Sequence, residues 1–448
     1  MAKIIIHTLD LDGHVGPAIP MVRKLIECNH QVIWITGRKY ENRIKATRAS
    51  FRPRVKGIDP GNIDLYDLYP RFKELKGFAQ VRYWLKDFHL AKIEADIEDL
   101  KSILRDFPAD ILIGDTISFS TFFLSEMTGI PCACISLLPL PVPDKHIAPY
   151  GLGLTPGNTP ITKLRNQSLN YLVDHILLRD LTQYANDIRK RLGLLPLKGS
   201  FLPAMCRIPT LIMQISTPAF EYPRRDQPSN LHFVGPMLPK PNPAFTPPAW
   251  WSDLNGTQPV VLVTQGTVSM NWKDLVIPTI EVLEHEDVLV IAVPFDTQAF
   301  GAIPQNVRAE KFIPFEHLLP RVDVMVTNAG YGGVQQALAN GVPLVVAGAT
   351  EEKMEVAARV AWSKSGINLR KKDPSPDDIR QAVLEVLSNP MYRQNAKRIQ
   401  ADFAKHDAPM EAVRLLEALA GKRLAPKSNL HQKTSISSLA AVKSSQFE

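Results

Sequence analysis

The sequence predicts an α/β protein of two doubly wound, Rossmann-like parallel-sheet domains that face a central cleft. Short apolar runs alternate with segments of helical spacing in both halves of the chain, and this alternation is typical of parallel strands covered by helices on both faces. With 448 residues the chain is too long for one comfortable hydrophobic core. Between Pro223 and Pro248 there are eight prolines in 26 residues, a density that indicates a linker.

These features set the expected domain boundaries. We predict a first domain over residues 1–222, a proline-rich linker over 223–250 and a second domain over 251–420. Residues 421–448 are rich in Ser and Lys without periodicity, so we predict a disordered tail there. Ligands in this architecture bind beyond the carboxyl ends of the strands, where we therefore expect the functional residues.

The first half opens with a β-α-β pattern. Residues 3–8 read as a buried strand, residues 17–28 as a helix with Pro17 in its first turn, and residues 32–36 as the next strand. The later elements are predicted, in order, as a helix over 93–104, a strand over 111–114, a helix over 119–127, a strand over 131–136, a loop over 139–165 and a helical region over 166–192.

The second half repeats the alternation after the proline-rich segment. The predicted elements are, in order, a strand over 260–263, a helix over 275–283, strands over 288–293 and 322–326, a strand ending at Ala347, and helices over roughly 354–364, 376–387 and 390–419.

Composition excludes several classes of protein. Of the net charge of +7, +4 lies in the last 28 residues, so the rest of the chain is only about +3. No basic stripe with interleaved aromatic residues is present, which argues against nucleic-acid binding. Four cysteines form no disulfide framework, and without clustered His or Cys partners they indicate no metal site. The apolar run at the N-terminus is too short for a signal peptide. The longest uncharged stretch, 127–143, contains four prolines and is unsuited to a spanning helix, so we predict a cytoplasmic protein.

A glycine-rich turn follows the strand over 322–326. The segment Thr327-Asn-Ala-Gly-Tyr-Gly-Gly333 precedes a short helical stretch. Glycines at a strand-to-helix turn allow a ligand to approach the backbone, and the helix start supplies N–H groups and a positive dipole end. The turn therefore predicts an anion site; the alternative is a tight turn that needs positive φ angles.

Two residues of the first half lie where the cleft is expected. His14 follows the first strand and precedes a helix, whose positive end disfavours the imidazolium and would keep the ring neutral as a base. Asp115 closes the strand over 111–114 and could orient that base. The alternatives are an exposed loop histidine for His14 and a helix N-cap for Asp115. His7, inside the first strand, is expected to be a core histidine.

The corresponding turn of the second half is Gln265-Gly266-Thr267, a strand-end glycine and hydroxyl suited to a phosphate. Neither first strand is followed by Gly-x-Gly-x-x-Gly, and there is no Walker lysine. These absences argue against a nicotinamide dehydrogenase and a P-loop nucleotidase.

Up to about residue 420 the chain resembles the family 1 nucleotide-sugar-dependent glycosyltransferases, which are inverting enzymes of the GT-B fold. Within that family it is more similar to the bacterial and fungal small-molecule transferases than to the plant enzymes. The segments that carry the resemblance are Gly13-His-Val-Gly-Pro17, Asp115, Gln265-Gly-Thr267, Phe312-Ile-Pro314, Asn328-Ala-Gly-Tyr-Gly-Gly-Val-Gln-Gln336, Gly341-Val-Pro343 and Glu352-Lys-Met-Glu-Val-Ala-Ala-Arg-Val360.

The resemblance implies a role for each site residue. His14 would be the general base and Asp115 its support. The implied donor-binding residues are Gly266, Thr267, Asn328, Gly330, Gly332 and Gly333 around the pyrophosphate, Phe312 and Ile313 at the base, Gln336 at the ribose, and Glu352 with Lys353 at the sugar. No metal and no cofactor are implied.

Three positions depart from the family pattern. The family often has His where Asn328 stands, Glu where Gln336 stands, and Asp-Gln where Glu352-Lys353 stands. These differences bear on the base and the sugar of the donor rather than on the type of reaction.

The resemblance implies transfer of a hexose, with UDP-glucose as donor, to a hydroxyl of a lipophilic small molecule such as a phenol, polyketide, sterol or lipid. The acceptor pocket is expected from residues 72–88, with Phe78, Tyr83 and Trp84, and from the loop over 137–154; the alternative is that these aromatic residues are core. Two other functions stay open: a non-catalytic nucleotide-sugar-binding protein and a nucleotide-sugar epimerase.

Overall fold

The computed structural model describes residues 1–59, 61, 63, 65–75, 77–157, 159–225, 227–266, 271–295, 303–348 and 352–424. Helices and strands alternate through both halves. The first half contains, in order, β1 (Lys3–His7), α1 (Asp12–Glu27), β2 (Gln31–Thr36), α2 (Glu41–Lys45), β3 (Ser50–Pro53), α3 (Leu65–Leu68), α4 (Arg71–Glu74), α5 (Gly77–Tyr83), α6 (Ile93–Asp106), β4 (Ile111–Asp115), α7 (Phe119–Thr128), β5 (Cys132–Ser136), α8 (Pro160–Leu172), α9 (Arg179–Arg191), α10 (Phe201–Met205), β6 (Leu211–Gln214) and β7 (Leu231–Phe233). Turns of π-helix, Trp84–His89 and Val173–Leu177, continue α5 and α8.

The second half has the same plan. It contains, in order, β8 (Val260–Thr264), α11 (Val276–Leu283), β9 (Leu289–Ala292), β10 (Val307–Ala309), α12 (Phe315–Leu318), β11 (Val324–Thr327), α13 (Tyr331–Ala339), β12 (Leu344–Val346), α14 (Lys353–Trp362), β13 (Gly366–Asn368), α15 (Pro376–Ser388), α16 (Pro390–Phe403) and α17 (Ala408–Leu424).

Two parallel sheets form the frame of the molecule, as the sequence predicts. The first has the order β3-β2-β1-β4-β5-β6-β7 and the second β10-β9-β8-β11-β12-β13. The strand order reverses between β1 and β4 in one sheet and between β8 and β11 in the other. Ligands of doubly wound folds bind at such switch points, so each sheet offers one site.

The strands are apolar throughout because both faces of each sheet are buried. In β1, Ile4 and Ile6 pack in one hydrophobic cluster with α1, whereas Ile5 packs in another with Phe122 and Phe123 of α7. Alternate side chains of a strand point to opposite faces, which explains the uninterrupted apolar run.

Helix α1 begins earlier than predicted. It starts at Asp12, so Pro17 lies inside the helix and His14 lies in its first turn rather than in the preceding loop. Val15 is buried on the same helical face as Ala18 and Val22, so the helical spacing extends upstream of Pro17, and Asp12 suits the positive end of the helix.

Two predicted helical regions are each divided. The region over 166–192 comprises α8, whose start at Pro160 is fixed by a capping box between Thr159 and Thr162, the π-helical turn and α9. The region over 390–419 breaks ahead of Pro409, which cannot donate a backbone hydrogen bond to the preceding turn.

The predicted linker and tail also differ in part. Residues 231–233 form β7, the edge strand of the first sheet, within the proline-rich segment. Helix α17 continues to Leu424 and packs against α1 of the first half, where the His30 Nε2 and Glu417 Oε1 atoms lie 3.1 Å apart. The rest of the predicted tail, 425–448, lies outside the described residues. No helix in the described part of the chain is long and apolar enough to cross a bilayer.

Candidate active site

The switch point of the first sheet brings His14 and Asp115 together. Asp115 is the last residue of β4, and His14 lies in the first turn of α1, which follows β1. The distance between His14 Nδ1 and Asp115 Oδ2 is 2.9 Å, and the residues are 7% and 0% exposed. The prediction that Asp115 could orient His14 therefore agrees with the geometry, whereas an exposed loop histidine does not.

Asp115 receives several further hydrogen bonds. The backbone N–H of Leu9 donates to Oδ2 at 2.8 Å, and the N–H of Ile117 and the hydroxyl of Ser118 donate to Oδ1 at 3.1 and 2.9 Å. Ser118, not Asp115, occupies the N-cap position of α7. The carboxylate is thus fixed by groups on three segments, and its contact with His14 is made through Nδ1 rather than Nε2.

The pKa of His14 shifts in the direction opposite to the one expected from a helix N-terminus. Burial lowers the pKa of the imidazole, but the charge and hydrogen bond of Asp115, together with Glu352 and Asp10, outweigh burial and raise the pKa of His14 above 6.5. Burial raises the pKa of Asp115, but the His14 charge and the hydrogen bonds reverse this and hold it well below 3.8. The carboxylate, rather than the helix end, controls the histidine.

His7 is a core histidine, as predicted. Its Nδ1 lies 3.0 Å from Thr121 Oγ1, and its Nε2 accepts a hydrogen bond from Arg54 Nη2 at 3.1 Å. Burial first, and then the Arg54 charge, lower the pKa of His7 to about 3, so the ring is neutral.

Sequence reasoning missed Arg54 and Ser118. Arg54 is buried, contacts Asp10 and donates to Thr8 O at 2.9 Å, so it braces the loop between β1 and α1 that precedes His14. No local pattern signals Arg54. The spacing Asp115-x-x-Ser118 could have indicated the hydroxyl that holds the carboxylate.

The switch point of the second sheet brings Gly266 and Asn328 together. Gly266 follows β8 with a φ of +74°, and a Cβ built on it would lie 3.5 Å from Asn328 Oδ1. Asn328 follows β11 and donates through Nδ2 to Gln265 O. Thr267, the predicted phosphate-binding hydroxyl, lies outside the described residues.

The glycine-rich turn has a different backbone from the tight turn considered as the alternative. The positive φ, +66°, belongs to Ala329, whereas Gly330 caps α13 with a φ of −61°. A Cβ on Gly330 or Gly332 would meet no atom within 4 Å among the described residues, and one on Gly333 would meet only Met325 Cε at 3.6 Å. Neither backbone conformation nor packing requires these glycines, which suits close approach of a ligand to the start of α13.

The remaining predicted donor-binding residues lie on separate segments of the second half. Phe312 is 76% exposed, whereas Ile313 is buried. Gln336 lies one turn after Gly332 on α13, with its Nε2 3.4 Å from Gly332 O. Glu352 immediately precedes α14, and Lys353 begins it. The Glu352 charge contributes to raising the pKa of His14, so the start of α14 acts electrostatically on the first switch point.

The predicted aromatic acceptor segment is partly core. Phe72 and Phe88 are buried, and Trp84 stacks on Phe88 with ring centroids 4.0 Å apart. Tyr83 is half-buried beneath the Arg71 guanidinium, and the side chain of Phe78 lies outside the described part. No group of three or more His, Cys, Asp or Glu residues in the described ranges is arranged to hold a metal ion.

Comparison with known proteins agrees with this architecture. A family described as "Erythromycin biosynthesis protein CIII-like, C-terminal domain" matches residues 275–419. The 4′-demethylrebeccamycin synthase of Lentzea aerocolonigenes is 42% identical over 418 residues, which cover 93% of this chain and 99% of that protein. UDP-glycosyltransferase 2 of Phaeomoniella chlamydospora is 30% identical over 435 residues, covering 93% and 95%.

Solved structures show the same fold. The calicheamicin glycosyltransferase CalG4 superposes with a TM-score of 0.72 at 21% identity, covering 95% of this chain and all of that one. The glycosyltransferase of kitacinnamycin gives a TM-score of 0.71 at 19% identity, covering 93% and 98%. The fold is therefore that of the GT-B glycosyltransferases. The chain belongs to the family 1 glycosyltransferases of the small-molecule type, and it is an enzyme.

Proposed function

We propose that the protein transfers a hexose from UDP-glucose to a hydroxyl group of a lipophilic small molecule such as a phenol, polyketide, sterol or lipid. Relatives named UDP-glycosyltransferase and UDP-glucosyltransferase support the donor. Relatives and structural neighbours named for 4′-demethylrebeccamycin, calicheamicin and kitacinnamycin support a natural-product acceptor.

The observation that carries the mechanism is the 2.9 Å contact between His14 and Asp115 at the switch point. With Nδ1 bound to the carboxylate, His14 Nε2 removes the proton of the acceptor hydroxyl. The acceptor oxygen then bonds to the anomeric carbon opposite the leaving group, and the nucleoside diphosphate departs with the electron pair of the broken C–O bond. The anomeric configuration is therefore inverted, and Asp115 stabilises the imidazolium that forms.

The second switch point binds the donor in this proposal. N–H groups at the start of α13, beside Gly330, Gly332 and Gly333, together with Gly266, Thr267 and Asn328, hold the pyrophosphate and take up the leaving charge without a metal or cofactor. Phe312 lies against the base, Ile313 reads its edge, Gln336 contacts the ribose, and Glu352 and Lys353 contact the sugar. The acceptor lies against residues 72–88 and the loop over 137–154.

The test is mass spectrometry of the purified protein with UDP-glucose and a pool of phenols, polyketides, sterols and hydroxy fatty acids. We expect an acceptor to gain one hexose, with turnover about 100-fold or more lower in His14→Ala, the scale of a general base. His285→Ala, which removes an exposed histidine after α11, is the matched control and should leave turnover unchanged.

The other outcomes separate the alternatives. Equal turnover in His14→Ala would remove the proposed base. Transfer only from another nucleotide sugar would change the donor. A changed nucleotide sugar without an acceptor would indicate an epimerase, and binding without any product would indicate a binding protein.

A further inference from the structure

A buried network of charges joins the first domain to the two helices of the second domain that carry the proposed donor-binding residues. Arg359 of α14 donates from Nε to Glu221 Oε2 at 2.9 Å and from Nη1 to Glu355 Oε2 at 3.0 Å. Glu221 precedes β7 of the first sheet, and Glu355 lies in the first turn of α14. Glu221 is 3% exposed, Glu355 4% and Arg359 1%. Because all three are buried, water screens these charges little.

The other oxygen of Glu355 holds a loop of the first domain. The backbone N–H groups of Gly151 and Gly153 both donate to Oε1 at 2.9 Å. Their φ angles are +95° and +59°, which glycine adopts without strain. A Cβ on Gly153 would lie 3.0 Å from the carbonyl oxygen of Met354, which is tighter than ordinary van der Waals contact, so a side chain here would press the loop away from α14.

Glu221 holds the beginning of the same loop. Its Oε1 accepts hydrogen bonds from the Leu140 N–H at 3.1 Å and from the Tyr331 hydroxyl at 3.3 Å. Tyr331 is the first residue of α13, the helix whose start faces the proposed pyrophosphate site. The loop over 140–153 is therefore fixed at one end beside α13 and at the other beside α14.

The contact lies next to the proposed sugar-binding pair. The Glu355 N–H donates to the carbonyl oxygen of Glu352 at 3.0 Å, closing the first turn of α14. The position of the loop is thus tied to the residue proposed to contact the sugar.

We propose that Glu355 is a positioning residue that holds the loop over 140–153 against the donor helices and so sets where the acceptor binds relative to the sugar. This proposal rests on the proposed function. It assigns Glu355 no contact with the reacting atoms, and it predicts that breaking the contact weakens acceptor binding while donor binding is kept.

The test uses two variants of the full chain. Gly153→Ala pushes the loop from Met354, and Glu355→Gln keeps an acceptor oxygen but removes the charge opposite Arg359. In Gly153→Ala we expect the acceptor KM to rise about tenfold or more, the scale of a lost charge-assisted hydrogen bond. UDP affinity, measured by calorimetry, should stay within about twofold, and Glu355→Gln should show a smaller rise in KM.

Gly256→Ala is the matched control because Gly256 also has a positive φ, +82°, but its Cβ would meet no described atom within 4 Å. Gly256→Ala also places a side chain at a positive φ, but without the clash, and should leave KM unchanged. Hydrogen exchange of residues 147–153 should be faster in Gly153→Ala and Glu355→Gln than in the wild type or the control.

Each result decides one point. Faster exchange with an unchanged acceptor KM would overturn the positioning role, as would a parallel loss of UDP affinity and acceptor binding. If the wild-type protein transfers no sugar, the proposed function fails first; unchanged exchange in both variants would then separately overturn the hold on the loop.

Discussion

The two switch points of this molecule are built in opposite ways. At the first, the buried Asp115 receives hydrogen bonds from Leu9, Ile117 and Ser118 besides its contact with His14. At the second, Gly330 and Gly332 leave the backbone open at the start of α13, and Phe312 is 76% exposed. One site is organised by the protein's own side chains, and the other presents backbone groups and an aromatic face.

The difference follows from what each site is proposed to do. A base must have its geometry and protonation set before the reaction, because reorganisation during the reaction raises the barrier. A donor must enter and its diphosphate must leave, so its site needs accessible groups. We therefore expect substitutions at the first site to reduce turnover and substitutions at the second to reduce donor affinity.

The largest expected effect comes from Asp115→Asn. The neutral amide no longer stabilises the imidazolium, so turnover should fall by about 100-fold or more, while UDP affinity measured by calorimetry stays unchanged. Ser118→Ala removes a single hydrogen bond to the carboxylate and should cost less than about tenfold. Loss of UDP affinity in Asp115→Asn would contradict the expectation that the first site affects turnover and the second affects donor affinity.

The same variant should move the pH profile. Turnover requires neutral His14, so it should rise with pH through the pKa of His14, which Asp115 and nearby acidic groups raise above 6.5 despite burial. In Asp115→Asn burial remains but the principal raising charge is lost, so the acidic limb of kcat/KM should move to lower pH. A limb that stays in place would mean that another group titrates there.

At the first site, the sequence predicts the positions of the residues better than it predicts their chemistry. Alternating apolar runs place His14 and Asp115 at strand ends of one sheet, although they are 101 residues apart. The direction of the His14 pKa shift was predicted wrongly because a helix end is a local feature, whereas the dominant raising charge comes from a distant strand. The hold of Arg54 on the loop before His14 is equally non-local.

The second site shows the converse. Its glycines are visible in the sequence, but their reason is not, since the positive φ belongs to Ala329 rather than to Gly330, Gly332 or Gly333. The link between Glu221 and Arg359 spans 138 residues and two domains, and no periodicity signals it. Local patterns therefore identify elements and strand ends, whereas contacts between elements require the folded chain.

A smaller effect is expected from Gly332→Ala, which tests whether the glycine serves a ligand. Gly332 lies in α13 without a positive φ, so alanine should raise the free energy of unfolding by up to about 1 kcal/mol through helix propensity. Its methyl group would occupy the proposed pyrophosphate approach, and UDP affinity should fall about tenfold, as for a lost charge-assisted hydrogen bond. Denaturant unfolding and calorimetry measure the two quantities, and unchanged UDP affinity would count against this position for the donor.

The smallest expected effect comes from Phe312→Ala, which separates the base from the phosphates. Base–aromatic stacking contributes about 1–3 kcal/mol, and the exposure of Phe312 favours the lower end, so UDP affinity should fall about five- to tenfold. Inorganic pyrophosphate should bind the variant as it binds the wild type, because it has no base, whereas Gly332→Ala should weaken both ligands. Tyr171→Ala, which removes another exposed ring, on α8, is the control and should change neither affinity. Equal losses for UDP and pyrophosphate in Phe312→Ala would show that the ring shapes the phosphate site rather than contacting the base.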